Sequence, residues 1–230
     1  NRIESNRIYQ KLHQMSRVFL DNIRIVLDAN EVPVMDGSSI SFCMMLNEAG
    51  IKKLDADKKA MIIKREICVE EGSKFVKFSP SYEPKFDYTI SFNNEVIGRQ
   101  NFVFEFNKQN YIKEIARART FGFLKDVQML RAKNLALGGS LENAVVIDGT
   151  KILNPDGLRF ENEFVRHKIL DAVGDLALIG MPIFGDYTAF AGSHDLNHKL
   201  TLQVLSDSKN YEIITLCEVA NAQELAKIFS

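Results

Sequence analysis

Hydrophobic residues recur at two different periods along this chain, and that alternation is what most narrows its fold. Residues 7–20 place Ile8, Leu12, Met15 and Phe19 at helical spacing, whereas Ile23–Leu27 alternates as a strand does. Val32–Ser38 reads as a loop, because Pro33 restricts its predecessor and Asp36-Gly37 is a turn pair; Ile40–Leu46 follows as a short helix. Charge then rises sharply across Lys52–Lys59, which marks a linker or domain boundary. Beyond it the spacing predicts strands at 61–69, 73–79, 87–92 and 101–106, then helices at 108–118 and 125–133. A strand at 143–148, a helix over 158–177, strands at 184–190 and 211–216 and a closing helix over 220–229 complete the pattern. Helices and strands interleaved in this way imply an α+β protein.

Composition removes several classes of function. The 230 residues suffice for one large domain or two small ones with real cores, and 46% hydrophobic with 26% charged residues is the ordinary range of a folded globular protein. Lys and Arg number 29 against 30 Asp and Glu, so net charge gives no reason to expect non-specific nucleic-acid binding. No apolar run approaches the roughly 20 residues of a membrane-spanning helix. The opening Asn1–Asn6 has neither an apolar signal core nor an initiator Met, so a truncated or processed start is expected. Cys43, Cys68 and Cys217 lie far apart with no CxxC, which reads as a reducing, cytoplasmic compartment without disulfides or a thiolate zinc site.

The densest chemistry lies in Arg159–Asp175. Successive helical residues turn by about 100°, so positions four and eight apart share a face. His167 and Asp171 are then one turn apart, Asp175 is one turn further, and Lys168 sits at the edge of the stripe; Val165, Ile169, Ala172, Val173 and Leu176 back it. Two readings are open. An imidazole and a carboxylate at i and i+4 can share one Zn²⁺, while a further carboxylate orients a catalytic imidazole. Alternatively the pair is an ordinary contact on an amphipathic helix, worth about a few tenths of a kcal/mol. HxxxD alone is a weak motif.

A second cluster is Ala189–His198. His194 follows Gly192-Ser193, small residues that permit close backbone approach and place its ring at the rim of a cleft. An imidazole with an unperturbed pKa of about 6.5 suits a general acid. The alternative is a helix-start loop with Ser193 as N-cap. His194–His198 is a rival metal pair, ranked below His167–Asp171. In Ala118–Phe123, Thr120 offers a hydroxyl that can polarise a carbonyl, and Phe121 and Phe123 are either core or the mouth of an apolar passage. Gly138-Gly-Ser140 lacks the Lys-Ser/Thr of a P-loop and is discounted as a phosphate loop.

Several stretches recur in a known order from about residue 21 to 200. They are Asp21-Asn-Ile, Glu31–Ser38, Ile97–Gln100, Ala116–Phe123, Leu137–Ser140, Ile152–Phe160, Phe164–Asp175 and Ser193–Asn197. Together they resemble the zinc-dependent UDP-3-O-acyl-N-acetylglucosamine deacetylase family, which carries out the committed step of lipid A synthesis in Gram-negative bacteria. The resemblance implies two similar α+β domains, each layering sheets and helices, with the active site between them. Residues 1–52 would be the remnant of the first, 53–230 the second, and a small βαβ insert at about 121–154 would line the passage for the substrate's acyl chain.

The resemblance also implies roles for single residues. His167 and Asp171 would hold Zn²⁺, Lys168 would lie by the substrate, and Thr120 would contact the developing oxyanion. His194 would be the general acid, oriented by Asp175, while Phe121, Leu124 and Val127 would border the acyl passage. Zinc lowers the pKa of bound water and polarises the amide carbonyl. A carboxylate takes the water's proton, and charged His194 stabilises the oxyanion and then protonates the departing amine. The partner implied is a UDP-linked acylated glucosamine, with no nucleic acid, no transmembrane segment, at most transient membrane-surface contact, and a monomeric cytoplasmic protein.

The sequence departs from the family pattern at three places. The family's Thr-x-Glu-His, whose His is the third zinc ligand and whose Glu is the general base, stands eleven residues before the Asp-Asn matched by Asp21-Asn22. Counting back lands on Gln10, with Tyr9 in the Glu position and His13 three residues out of register. Most of the first domain has no counterpart, so an incomplete first sheet is expected. Ala191 stands where the family usually has a Lys that holds the substrate's phosphates. Two functions remain: a zinc-dependent amide hydrolase, or a non-catalytic relative that binds the nucleotide-sugar lipid or a protein partner without turnover.

Overall fold

In the computed structural model, residues 20, 22–28, 32–52, 54–132 and 138–216 are described. The helix expected over 7–20 falls outside them except for Leu20, as does the one over 220–229, together with Tyr9, Gln10 and His13. The described chain opens with α1 (Ile40–Ala49), then β1 (Lys59–Ile63), β2 (Ile67–Glu71), β3 (Lys74–Ser79), β4 (Lys85–Ser91) and β5 (Arg99–Glu105). Next come α2 (Lys108–Asn110), which passes into a π-turn (Tyr111–Ile115), then β6 (Phe121–Phe123), α3 (Leu124–Ala132), β7 (Val145–Asp148) and β8 (Lys151–Ile152). The chain continues through α4 (Glu163–Leu176), β9 (Ile183–Phe184), β10 (Asp186–Phe190), α5 (His194–Leu205) and β11 (Tyr211–Thr215). This is the α+β class that the mixed periodicity implies.

Alternation builds the central sheet, ordered β2-β3-β10-β4-β5. Inward positions Val76 and Phe78 on β3, Phe86, Tyr88 and Ile90 on β4, and Tyr187 and Ala189 on β10 are all buried. Register places Tyr187 opposite Phe78 on one side and Phe86 on the other, and its ring lies 5.6 Å and 5.3 Å from theirs. Each such ring contributes about 1.5–3 kcal/mol by leaving water. α4 and α5 pack against this face, α4 over β4 and β5 and α5 over β2 and β3. Their buried sides therefore lie against the sheet and against each other, and polar residues on those sides must find partners there.

Two smaller sheets flank it. One is ordered β11-β1-β9; the other, β6-β7-β8, has β6 and β7 parallel with α3 as the crossover. Parallel neighbours require such a crossover, so Phe121–Asp148 is a βαβ unit, with β8 added antiparallel.

Several sequence expectations are corrected by pairing. Ile23–Leu27 is not a strand: no described strand is paired with it, and Val26 is 78% exposed. Alternation cannot hold a strand whose backbone groups lack a neighbour. The strand expected over 61–69 is two, split at Lys64–Glu66 and assigned to different sheets. That over 184–190 also splits, at Gly185, where a Cβ would stand 2.8 Å from Ile63 Cγ1, so the chain changes sheets while passing close to β1. The helix expected from 158 begins at Glu163, because the Glu163 carboxylate instead holds the preceding turn through the Arg159 N–H at 2.7 Å.

Candidate active site

Glu163, His167, Asp171 and Asp175 follow one another at four-residue steps along α4 and so form a single stripe. The stripe is not a solvated face: Glu163, His167 and Asp175 are 0%, 7% and 3% exposed. His167 Nδ1 lies 3.0 Å from the Ala118 carbonyl oxygen. A carbonyl only accepts, so Nδ1 carries the proton, and Nε2 can offer a lone pair when the ring is neutral. That atom is 3.4 Å from Asp171 Oδ1, while Lys168 donates to Asp171 Oδ2 at 2.8 Å. Burial would raise the Asp171 carboxyl, but with His167 protonated its charge and those of Lys168 and His194 outweigh burial and hold the pKa at about 2; with the neutral ring that a metal ligand requires, Lys168 is the adjacent cation. Asp171 in turn raises Lys168.

A neutral imidazole nitrogen and an anionic carboxylate oxygen, converging from adjacent turns, are donor types that Zn²⁺ takes. A backbone carbonyl behind the imidazole is the usual support of a metal-ligating histidine. By this chemistry the pair fits the ion. Among the described residues no third His, Cys, Asp or Glu joins the two in a cluster able to hold a metal.

The other end of the stripe is built by the turn from β10 into α5. Ala191 takes a left-handed backbone at φ 48, and Gly192 follows, where a Cβ would come 2.7 Å from the Tyr88 hydroxyl. Only glycine allows that approach. Ser193 then caps α5, accepting from the Leu196 N–H at 3.2 Å, as the helix-start reading expects. The cap also aims His194: its side chain is 54% exposed, and its Nδ1 lies 2.8 Å from Asp175 Oδ2. His198 is exposed. The hydrogen bond to Asp175 raises the His194 pKa above the ordinary imidazole value, with the charges of Asp175 and Asp171 adding to it. Burial raises Asp175 itself, against the hydrogen bonds it accepts from His194 and Asn197.

Thr120 sits immediately before β6, half-buried, with its N–H on the Gly37 carbonyl and its carbonyl on the Val145 N–H. Phe121 is also half-buried. Its ring packs 5.0 Å from Phe164 and 6.3 Å from His167, and Lys168 Nζ stands 5.8 Å above it. Leu124 and Val127 are half-buried on α3, neither core nor fully exposed. Beside this group, a cavity of about 310 Å³ opens between Phe92, Asn94, Phe123, Lys125 and Gly149. It does not include the His167–Asp171 pair.

Residues without a sequence-level role hold this arrangement in place. The wholly buried Glu163 carboxylate accepts from Arg119 Nε at 2.8 Å, Arg119 Nη2 at 3.1 Å and the Arg119 N–H at 2.9 Å. This clamps the segment that presents the Ala118 carbonyl and Thr120. Arg159 Nη1 reaches Asp36 Oδ2 at 2.7 Å, tying the Val32–Ser38 loop to the same segment. Asn197 and Tyr187 extend the partners of Asp175. Glu163 had a visible signal, since it continues the four-residue stripe one turn toward the N-terminus. Tyr187 had none beyond its strand alternation.

The sequence matches the family profile described as UDP-3-O-acyl N-acetylglycosamine deacetylase over residues 12–206. The protein named UDP-3-O-acyl-N-acetylglucosamine deacetylase from Campylobacter hominis is 74% identical over 211 residues, covering 92% of this chain and 71% of that protein. The one of the same name from Campylobacter curvus is 73% identical over 197 residues, 86% of this chain and 67% of that protein. A third, from Campylobacter jejuni subsp. jejuni, is 64% identical over 211 residues, again 92% and 71%.

Proposed function

Because this chain belongs to the UDP-3-O-acyl-N-acetylglucosamine deacetylase family, we propose that it hydrolyses the N-acetyl group of a UDP-linked, 3-O-acylated glucosamine in lipid A biosynthesis. One observation carries the reading: within such a chain, His167 Nε2 and Asp171 Oδ1 converge to 3.4 Å on the helix face that also bears the Asp175–His194 pair. His167 and Asp171 would hold Zn²⁺. When bound, the ion supplies Lewis-acid polarisation of the amide carbonyl and a lowered pKa for water.

The protein's own groups supply the other roles, apart from the carboxylate that takes the attacking water's proton, which in the family belongs to the Thr-x-Glu-His stretch. The Ala118 carbonyl keeps His167 in one tautomer, and Lys168 fixes the second oxygen of Asp171 while offering a positive charge beside the substrate. Thr120 lies in the Ala118–Phe121 segment that touches His167, and its hydroxyl would be the donor to a developing oxyanion. Protonated His194, steadied by Asp175, first stabilises that oxyanion and then gives its Nε2 proton to the departing amine. Phe121, Leu124 and Val127, partly exposed and apolar, border the path of the acyl chain. We assign residues 1–52 to a first domain of the family and 53–230 to the second. No helix among the described residues is long and apolar enough to cross a membrane, and we place a monomeric protein in the cytoplasm with at most transient membrane-surface contact.

The test is metal content and acetate release by the purified chain with the acylated UDP-sugar. Stoichiometric zinc with acetate release is expected. A metal-free protein that binds the UDP-sugar lipid without releasing acetate sinks the reading in favour of a binding relative.

A further inference from the structure

Behind His194 the hydrogen bonding does not stop at Asp175. Asp175 Oδ2, which faces His194 Nδ1, also accepts from Asn197 Nδ2 at 2.8 Å, and Asn197 Oδ1 lies 2.6 Å from the Tyr187 hydroxyl. Asn197 is 2% exposed and Tyr187 is 0% exposed. Direction along this chain is fixed by chemistry. An ionised carboxylate can only accept, so Asn197 must turn its NH₂ toward Asp175 and is left with Oδ1 to accept from Tyr187. Each donor thereby orients the next.

We propose that Tyr187 and Asn197 are positioning residues for the acid end of the site, holding Asp175 so that His194 keeps Nδ1–H on the carboxylate and leaves Nε2 to serve as the acid. The inference rests on reading His194 as the general acid. Packing alone does not account for the Tyr187 hydroxyl, since a phenyl ring would make the same contacts with Phe78 and Phe86. A buried hydroxyl is costly unless bonded, and here Asn197 supplies the bond. Asn197 belongs to the first turns of α5, so the tyrosine on β10 locks the helix that carries His194 against the sheet. The groups facing Asp175 and His194 are Lys168 and Asp171 on α4 and Tyr88 on β4. Lys168 is the cation among them, and Tyr88 is held neutral by burial. Donation by Asn197 favours the charged form of Asp175, so its removal should raise the pH at which Asp175 takes up a proton.

The chain has four histidines, so ring-nitrogen NMR of the full protein resolves each, with the His194 signals identified by their loss in His194→Gln. The titration is followed in the unaltered protein, Asn197→Ala, Tyr187→Phe and the double variant. Asn197→Ala should move the acid-side transition sensed by His194 upward, by about threefold to tenfold in proton affinity. Tyr187→Phe should move it less, in the same direction, and should add nothing in the Asn197→Ala background, because its effect passes through Asn197. An unmoved transition in Asn197→Ala, or equal Tyr187→Phe effects in both backgrounds, overturns the proposal. Should Asn197→Ala fail to fold, Tyr187→Phe keeps the ring and deletes only the hydroxyl, and an unmoved transition there overturns it equally. The spectra need no turnover, so the acid assignment fails separately, on undiminished acetate release by His194→Ala.

Discussion

Asp171 and Asp175 are the same residue type, one turn apart on one helix face, yet their surroundings drive them in opposite directions. Asp171 is flanked by His167 and Lys168 and stays ionised down to a pKa of about 2, whereas burial pushes Asp175 upward. The difference lies in what faces each carboxylate. A lysine ammonium stabilises charge at Asp171, while Asp175 relies on an imidazole and a neutral amide. One acid is thus suited to remain an anionic ligand, and the other to share a proton with an imidazole. Such divergence between neighbouring titratable groups is a mark of functional sites.

Substituting at the ligand end should break that contrast most severely. His167→Ala removes the Nε2 donor, and zinc retention should be lost with it, beyond the about 10–100-fold weakening that follows loss of an outer-shell partner. Metal analysis after purification checks this; unchanged zinc content refutes the ligand assignment. At the acid end the expectation is different in kind. His194→Ala should lower kcat by about 10²–10⁴-fold while zinc content is kept. A variant that loses metal and rate together would place His194 at the wrong end of the stripe.

Glu163 extends the comparison to a third carboxylate on the stripe. It carries neither ligand nor acid chemistry but is spent on Arg119 and the backbone N–H groups of Arg119 and Arg159. Glu163→Ala would leave the Arg119 guanidinium buried without its counter-ion, which typically costs about 3–5 kcal/mol. Denaturant unfolding should show that loss. A change below about 1 kcal/mol, the range of an exposed pair, would mean that the network is solvated rather than sealed.

Much of this stripe was legible because helical geometry turns sequence spacing into neighbours. His167, Asp171 and Asp175 could be placed on one face from their numbers alone, and Ser193 could be read as a cap from its residue type and position. What faces that stripe could not. The Ala118 carbonyl, Arg119 and Tyr187 reach α4 or α5 from segments between 10 and 49 residues away, and only the sheet register and the βαβ crossover bring them there. The same reason explains the misread strands. Alternation in Ile23–Leu27 records side-chain pattern but no pairing partner, and the polar breaks at Lys64-Arg65-Glu66 and Gly185-Asp186 do not by themselves say that the chain leaves one sheet for another. The candidate residues were legible as motifs; their supports were legible only as tertiary contacts.

The smallest effect concerns pH, and it separates the two carboxylates without any substitution in either. His194 is raised by its bond to Asp175, so its folded-state pKa lies above the roughly 6.5 of a free imidazole. A raised imidazole contributes stability that is fully present below the unfolded value and lost as pH rises through the folded one. Stability should therefore decline between about pH 6.5 and the folded pKa. The decline should be modest, since the His194 side chain is 54% exposed and solvent screens the pair. Deacetylation should fall over the same interval, because the acid must be protonated to serve the leaving amine. His194→Gln should flatten the stability change. If the decline survives in that variant, the titrating group is not the Asp175–His194 pair, and the assignment of a proton-sharing end to the stripe is lost.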